Sequence, residues 1–180
     1  TFFLLLVSTL VCPLPAVAQE NAEARPLQIA DYRHWRTISD ERISDDGRWV
    51  AWTYSRIRGD DTLTVRNLDA DSRHDIARAS QPVFSSDGRW VAYTIAPEFL
   101  EAERLRDEGD PVPTQAGLME METGRTFAWD DAESFGFSET GSHFYVKKRN
   151  VDDEAEHDGT DMILRNLREG YEELIGSVGE

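Results

Sequence analysis

The sequence predicts an all-β fold: a partial β-propeller of about three four-stranded antiparallel blades with one inserted helix. Three observations lead there. A motif recurs: residues 43–55 read Ile-Ser-Asp-Asp-Gly-Arg-Trp-Val-Ala-Trp-Thr-Tyr-Ser, and 84–96 read Phe-Ser-Ser-Asp-Gly-Arg-Trp-Val-Ala-Tyr-Thr-Ile-Ala. A weaker copy, Phe-Ser-Glu-Thr-Gly-Ser-His-Phe-Tyr-Val-Lys-Lys-Arg, occupies 137–149. The turn glycines Gly47, Gly88 and Gly141 are 41 and 53 residues apart, and a period near 40 belongs to propeller blades or to helical arrays. The runs after each turn are rich in Trp, Val, Tyr and Thr, which suit a pleated surface and decide for blades.

Taken in order, residues 1–18 read as a secretory signal whose own start is missing. Residues 1–11 are almost wholly apolar, Pro13 and Pro15 break the run, and Ala16-Val17-Ala18 supplies a cleavage site before Gln19. The run is shorter than the roughly 20 residues a bilayer span needs. Cys12 as a lipid anchor would want a small residue where Val11 stands. Residues 19–42 form a lead-in, in which Asp31 is placed to cap a short helical turn. The partial propeller then fills 43–180, with blades at about 43–80, 84–130 and 137–180.

Within each blade the Asp-Gly turn is followed by one strand-like run, then by a second that alternates apolar and polar residues. The second runs are Thr62-Leu63-Thr64-Val65-Arg66-Asn67-Leu68, Gly117-Leu118-Met119-Glu120-Met121 and Met162-Ile163-Leu164-Arg165-Asn166-Leu167. A polar turn and a short last strand complete the unit. The longer second spacing is explained by 98–109, a stretch of strong helix formers between Pro97 and Gly109. That helix is either a contact arm or a plain surface decoration.

The net charge of −16 opposes binding to nucleic acid or to anionic membrane. Cys12 is the only cysteine, so removal of the signal leaves no disulfide and no thiol chemistry. No Gly-x-Ser-x-Gly elbow and no His-Glu-x-x-His motif occurs. Ser142 stands beside His143, but neighbours on one strand point to opposite faces, so the pair is read as structural. His34, His74, His143 and His157 form no close metal pair, and the acidic stretch 152–161 lacks EF-hand spacing and reads as a solvated loop. Trp49, Trp52, Trp90 and Tyr93 are expected to pack between blades. The expected site list is therefore empty: no catalytic residue, no cofactor and no metal ligand.

Ser-x-Asp-Gly-x-Trp-Val-Ala-Tyr followed by Leu-x-Val-Arg-Asn-Leu resembles the propeller repeats of exported prolyl oligopeptidase-family serine peptidases. The lead-in Asp31-Tyr32-x-x-Trp35-x-x-Ile38, the charged excursion at 98–113 and the run 159–167 are similar to that family's N-terminal region. The resemblance implies a propeller of seven or eight blades that gates the access of peptides to a C-terminal α/β-hydrolase domain carrying the Ser, Asp and His. No position here matches those three. It also implies a periplasmic or secreted protein whose partners are that hydrolase domain and peptide substrates. Ser-x-Asp-Gly is shared with Tol-type periplasmic propellers, so a non-enzymatic propeller that binds protein partners is the alternative. A small β-protein that closes by dimerising is a third reading. Three blades cannot close a ring, so the sequence is expected to be a fragment with exposed strand edges. Residues 19–180 alone are then expected to be marginally stable or aggregation-prone. A cooperative, monomeric melt of that piece, checked by calorimetry and sedimentation, would contradict this expectation.

Overall fold

The computed structural model describes residues 26–149 and 159–178. The segment read as a signal (residues 1–18), Cys12, His157 and most of the acidic stretch lie outside the described residues. Twelve strands form three antiparallel meanders, each in simple sequential order. The first blade is β1 (Arg36–Ile43), β2 (Trp49–Arg56), β3 (Thr62–Asn67) and β4 (Arg73–Ala77). The second is β5 (Ala79–Phe84), β6 (Trp90–Ile95), β7 (Gln115–Glu120) and β8 (Arg125–Trp129), with α1 (Phe99–Glu108) between β6 and β7. The third is β9 (Ala132–Phe137), β10 (His143–Lys148), β11 (Thr160–Asn166) and β12 (Glu172–Val178). The four-stranded antiparallel blades and the inserted helix are those expected.

The first strand of each blade begins before the range read from the repeats, at 36, 79 and 132 instead of 43, 84 and 137. Thus β1 occupies part of the stretch read as lead-in. The rest of that lead-in includes a 3-10 helical segment, Ile29–His34. Asp31 does serve its cap, from inside the first turn: the Gln28 N–H donates to its Oδ2 at 2.8 Å.

The recurrent motif is a side-chain-braced hairpin. Ser44 and Trp49 close it twice: the Ser44 N–H donates to the Trp49 carbonyl at 2.9 Å, and the Trp49 N–H to Ser44 Oγ at 3.0 Å. The Ser44 hydroxyl donates to Asp46 Oδ1 at 2.6 Å, and that oxygen also accepts the Arg48 N–H at 3.0 Å. Ser85, Asp87, Arg89 and Trp90 repeat every one of these bonds. Gly47, Gly88 and Gly141 hold φ of 71°, 67° and 65°, which glycine adopts without steric cost. The aspartates are not themselves in that region; they act as acceptors. The third turn keeps the closure between Ser138 and His143, with Thr140 where the aspartate stood. Adjacent turns also touch: the Ser86 hydroxyl donates to the Glu139 carbonyl at 2.9 Å.

Packing follows the period of two along each strand. On β6, Val91 and Tyr93 face blade one, joining Trp49, Ala51, Leu63 and Val65. Trp90 and Ala92 face blade three, joining Trp129, Phe144, Val146 and Leu167. The middle blade is thus buried on both faces, as a blade inside a ring must be. Space is made for it: a Cβ on Gly117 would lie 2.1 Å from the Tyr93 ring. Trp52 departs from expectation. It lies opposite Trp49 and Ala51 in the alternation, on the open face of blade one, with its ring edge-on to Tyr54.

Trp90 is 2% exposed, so Trp90→Ala should cost about 3–5 kcal/mol, read as a lower urea midpoint. The Ser44 hydroxyl and the Arg48 N–H hold Asp46 below the usual carboxylate pKa. Stability from this group is therefore complete above the unfolded carboxylate value and is lost as pH falls through the lower folded one. Asp46→Asn should flatten this part of the acid-denaturation profile, measured by fluorescence between about pH 5 and 2.

Candidate functional site

The blades differ most at the end opposite the Ser-x-Asp-Gly turns, where α1 enters. Pro97 and Glu98 lead into it, and Gly109 ends it in a left-handed conformation, φ 79°. The helix follows β6 of the second blade but docks on the first. Asp60 Oδ1, in the β2–β3 loop, accepts the Phe99 N–H at 2.8 Å and so caps the helix from another blade. Arg58 of the same loop pairs with Glu103 at 3.0 Å. Ala102 is buried against this seam, whereas Leu100 is 73% exposed. The helix is thus a brace between two blades with one face still open to solvent.

A cleft of about 210 Å³ lies between the helix and the β2–β3 loop, with Arg56, Arg78 and Arg106 among its lining residues. A second cleft of about 430 Å³ shares Arg78, Ala96 and Pro97 with the first and extends to Gln115 and Asp130. Arg78 is the single residue between β4 and β5 and has a φ of 62°. Its backbone is clamped, its N–H donating to the Asp61 carbonyl and its carbonyl accepting from the Ala96 N–H. Nothing in the sequence pointed to these arginines, which the end of a strand, a blade connector and a helix bring to one place.

The other residues weighed from the sequence have structural settings. His74 reaches from blade one to the Met121 carbonyl of blade two at 3.0 Å and stacks near Trp49. His34 is exposed at the end of the 3-10 segment. Among the described residues, no group of three or more His, Cys, Asp or Glu is placed to hold a metal ion. Among them, too, no helix is long and apolar enough to cross a membrane. The interface between blades two and three carries its own ion pair. Arg165 lies 3.9 Å from the Phe127 ring centroid and pairs with Glu172 at 2.5 Å, a cation–π and carboxylate sandwich across the seam.

Ser142 and His143 correct one expectation. Strand β10 starts at His143, so Ser142 is the last turn residue and the two side chains converge: Ser142 Oγ is 2.9 Å from His143 Nδ1. Alternation along a strand does not apply across that boundary. The hydroxyl also lies 2.8 Å from Thr140 Oγ1, while His143 Nε2 faces the Asn166 amide at 3.5 Å. Among the described residues, the ring has no carboxylate partner to hold it as a general base. The hydroxyls of Thr140 and Ser142 occupy the third turn where the first two use an aspartate.

No protein-family model matches the sequence, and no curated protein matches it. Solved structures do. The β-propeller domain of the Trilobed protease from Pyrococcus furiosus matches 80% of this chain and 43% of its own, at 17% identity and a TM-score of 0.56. A prolyl endopeptidase matches 82% of this chain and 24% of its own, at 10% identity and a TM-score of 0.52. The acylaminoacyl peptidase of Pyrococcus horikoshii matches 81% of this chain and 26% of its own, at 16% identity and a TM-score of 0.50. The chain thus spans less than half the length of each. The fold is that of a partial β-propeller. The structures it resembles are propeller regions of prolyl oligopeptidase-family peptidases, the family to which the repeat motifs are similar.

Ser142 should not react as an activated nucleophile. Treatment with a fluorophosphonate probe followed by peptide mass spectrometry should leave Ser142 unlabelled, and labelling blocked by His143→Ala would reverse this conclusion.

Proposed function

We propose that this chain is the N-terminal propeller portion of an exported serine peptidase, gating the access of peptides to a C-terminal α/β-hydrolase domain. The observation that carries the reading is the match of three successive blades, over about four-fifths of the chain, to propellers of peptidases. The repeat motifs support it independently, since they resemble the same family. In this reading the propeller contributes no bond-making group. Its blades, packed face to face, form a wall that admits short extended chains and excludes folded ones, and the hydrolase domain is its partner in the same protein. Export is part of the proposal and rests on the apolar segment and Ala16-Val17-Ala18.

The test is to express the whole reading frame, extended past Glu180. A downstream Gly-x-Ser-x-Gly followed by Asp and His is expected, with hydrolysis of short chromogenic peptides and little of a folded protein substrate. A fluorophosphonate should label a serine outside residues 1–180. N-terminal sequencing of the exported product should begin at Gln19. A frame that ends after further blades, with no hydrolysis, would overturn the peptidase reading in favour of a partner-binding propeller.

A further inference from the structure

We propose that the cleft between α1 and the β2–β3 loop is an anion site that takes the terminal carboxylate of an extended peptide, through Arg56, Arg78 and Arg106. The identity of the ligand rests on the peptide-gating reading; the anion site itself does not.

Charge sets this cleft apart. The protein carries 35 acidic against 19 basic residues, so an arginine here has many carboxylates within reach. The neighbouring arginines use them: Arg58 pairs with Glu103, and Arg104 with both Glu101 and Glu108. Among the described residues, the guanidinium groups of Arg56, Arg78 and Arg106 have no carboxylate partner, although all three line one cleft. They come from the end of β2, the blade-to-blade connector and the last turn of α1, so the grouping is made by the tertiary fold.

Two carboxylates also line the cleft, Asp60 and Asp61, and both are occupied by backbone donors. Asp60 Oδ1 takes the Phe99 N–H at 2.8 Å, and Asp61 Oδ1 takes the Arg56 N–H at 3.3 Å. Three guanidinium groups against two carboxylates leave the cleft net positive in a protein that is acidic as a whole. A concave wall concentrates that field. Guanidinium forks pair bidentately with planar carboxylates, which matches this donor set to a peptide terminus. Ala96, Pro97 and Phe99 supply an apolar side for the adjoining residue. The second cleft, continuous through Arg78, offers a path for the chain that carries the terminus.

The test uses the intact protein and isothermal titration at low ionic strength with acetyl-dialanine, its C-terminal amide and inorganic phosphate. The free acid should bind saturably and at least tenfold more tightly than the amide. Arg106→Gln and Arg78→Gln should each reduce that binding at least fivefold, with the thermal midpoint unchanged for Arg106→Gln on the helix surface. Equal binding of acid and amide, or no loss in Arg106→Gln, would overturn the proposal. Phosphate binding as tight as the acid would overturn its assignment to a carboxylate. Peptide hydrolysis is measured in parallel: loss of the carboxylate preference with hydrolysis intact refutes only this site, whereas intact binding without hydrolysis refutes only the peptidase reading.

Discussion

A serine hydroxyl that donates to an aspartate two residues on, while accepting the N–H of a tryptophan five residues on, organises this molecule. The hydroxyl and carboxylate together satisfy backbone donors that a five-residue hairpin loop would otherwise leave open, and they set the register of the strand that follows. Once that register is set, the tryptophan is directed to one face and the next residue to the other. Trp49 then reaches the first interblade core, and Trp90 the second. The same turns stack on one another at one end of the blades, so a local hydrogen-bond device also contributes to blade adjacency. The third turn shows how much of it is dispensable: with Thr140 in place of the aspartate, the Ser138–His143 closure survives and hydroxyls fill the gap.

The repeat turns, the middle strands and the inserted helix were legible because each has a local cause. Gly at positive φ, β-branched and aromatic runs, and a Gly-terminated stretch of helix formers all act within a few residues. The first strand of each blade was hidden for an equally physical reason. Arg36–Ile43 is largely exposed, carries few apolar side chains and bulges at Asp40, so no clean alternation marks it. Ala79–Phe84 contains Pro82 and a matching bulge at Gln81, whose N–H reaches Asp40 at 3.3 Å. These bulges break the ladder between Ser39 and Arg42 and between Ser80 and Val83, which blunts strands at the blade edge.

The candidate site was not legible at all. Arg56, Arg78 and Arg106 are separated by a blade connector and a helix, and no periodicity relates them. Ser142 and His143 were misplaced because a strand boundary fell between them. In both cases the deciding fact is where a turn ends, and turn boundaries depend on tertiary bonds. The helix shows the same limit. Its existence follows from composition, but its docking on the neighbouring blade depends on Asp60 and Arg58, which lie in a loop of the preceding repeat.

The connectors between blades are one residue long at Arg78 and two at Asp130 and Asp131. Such links leave no slack, since Arg78 is held at positive φ with both backbone polar groups engaged. An evolving gene can therefore lengthen this molecule in only two ways. It can duplicate a whole unit, which arrives with its own connector and its own braced turn, or it can add material where a strand-to-strand loop opens on the rim. The helix between β6 and β7 sits where the second kind of addition is allowed, and the three similar blades are units of the first kind.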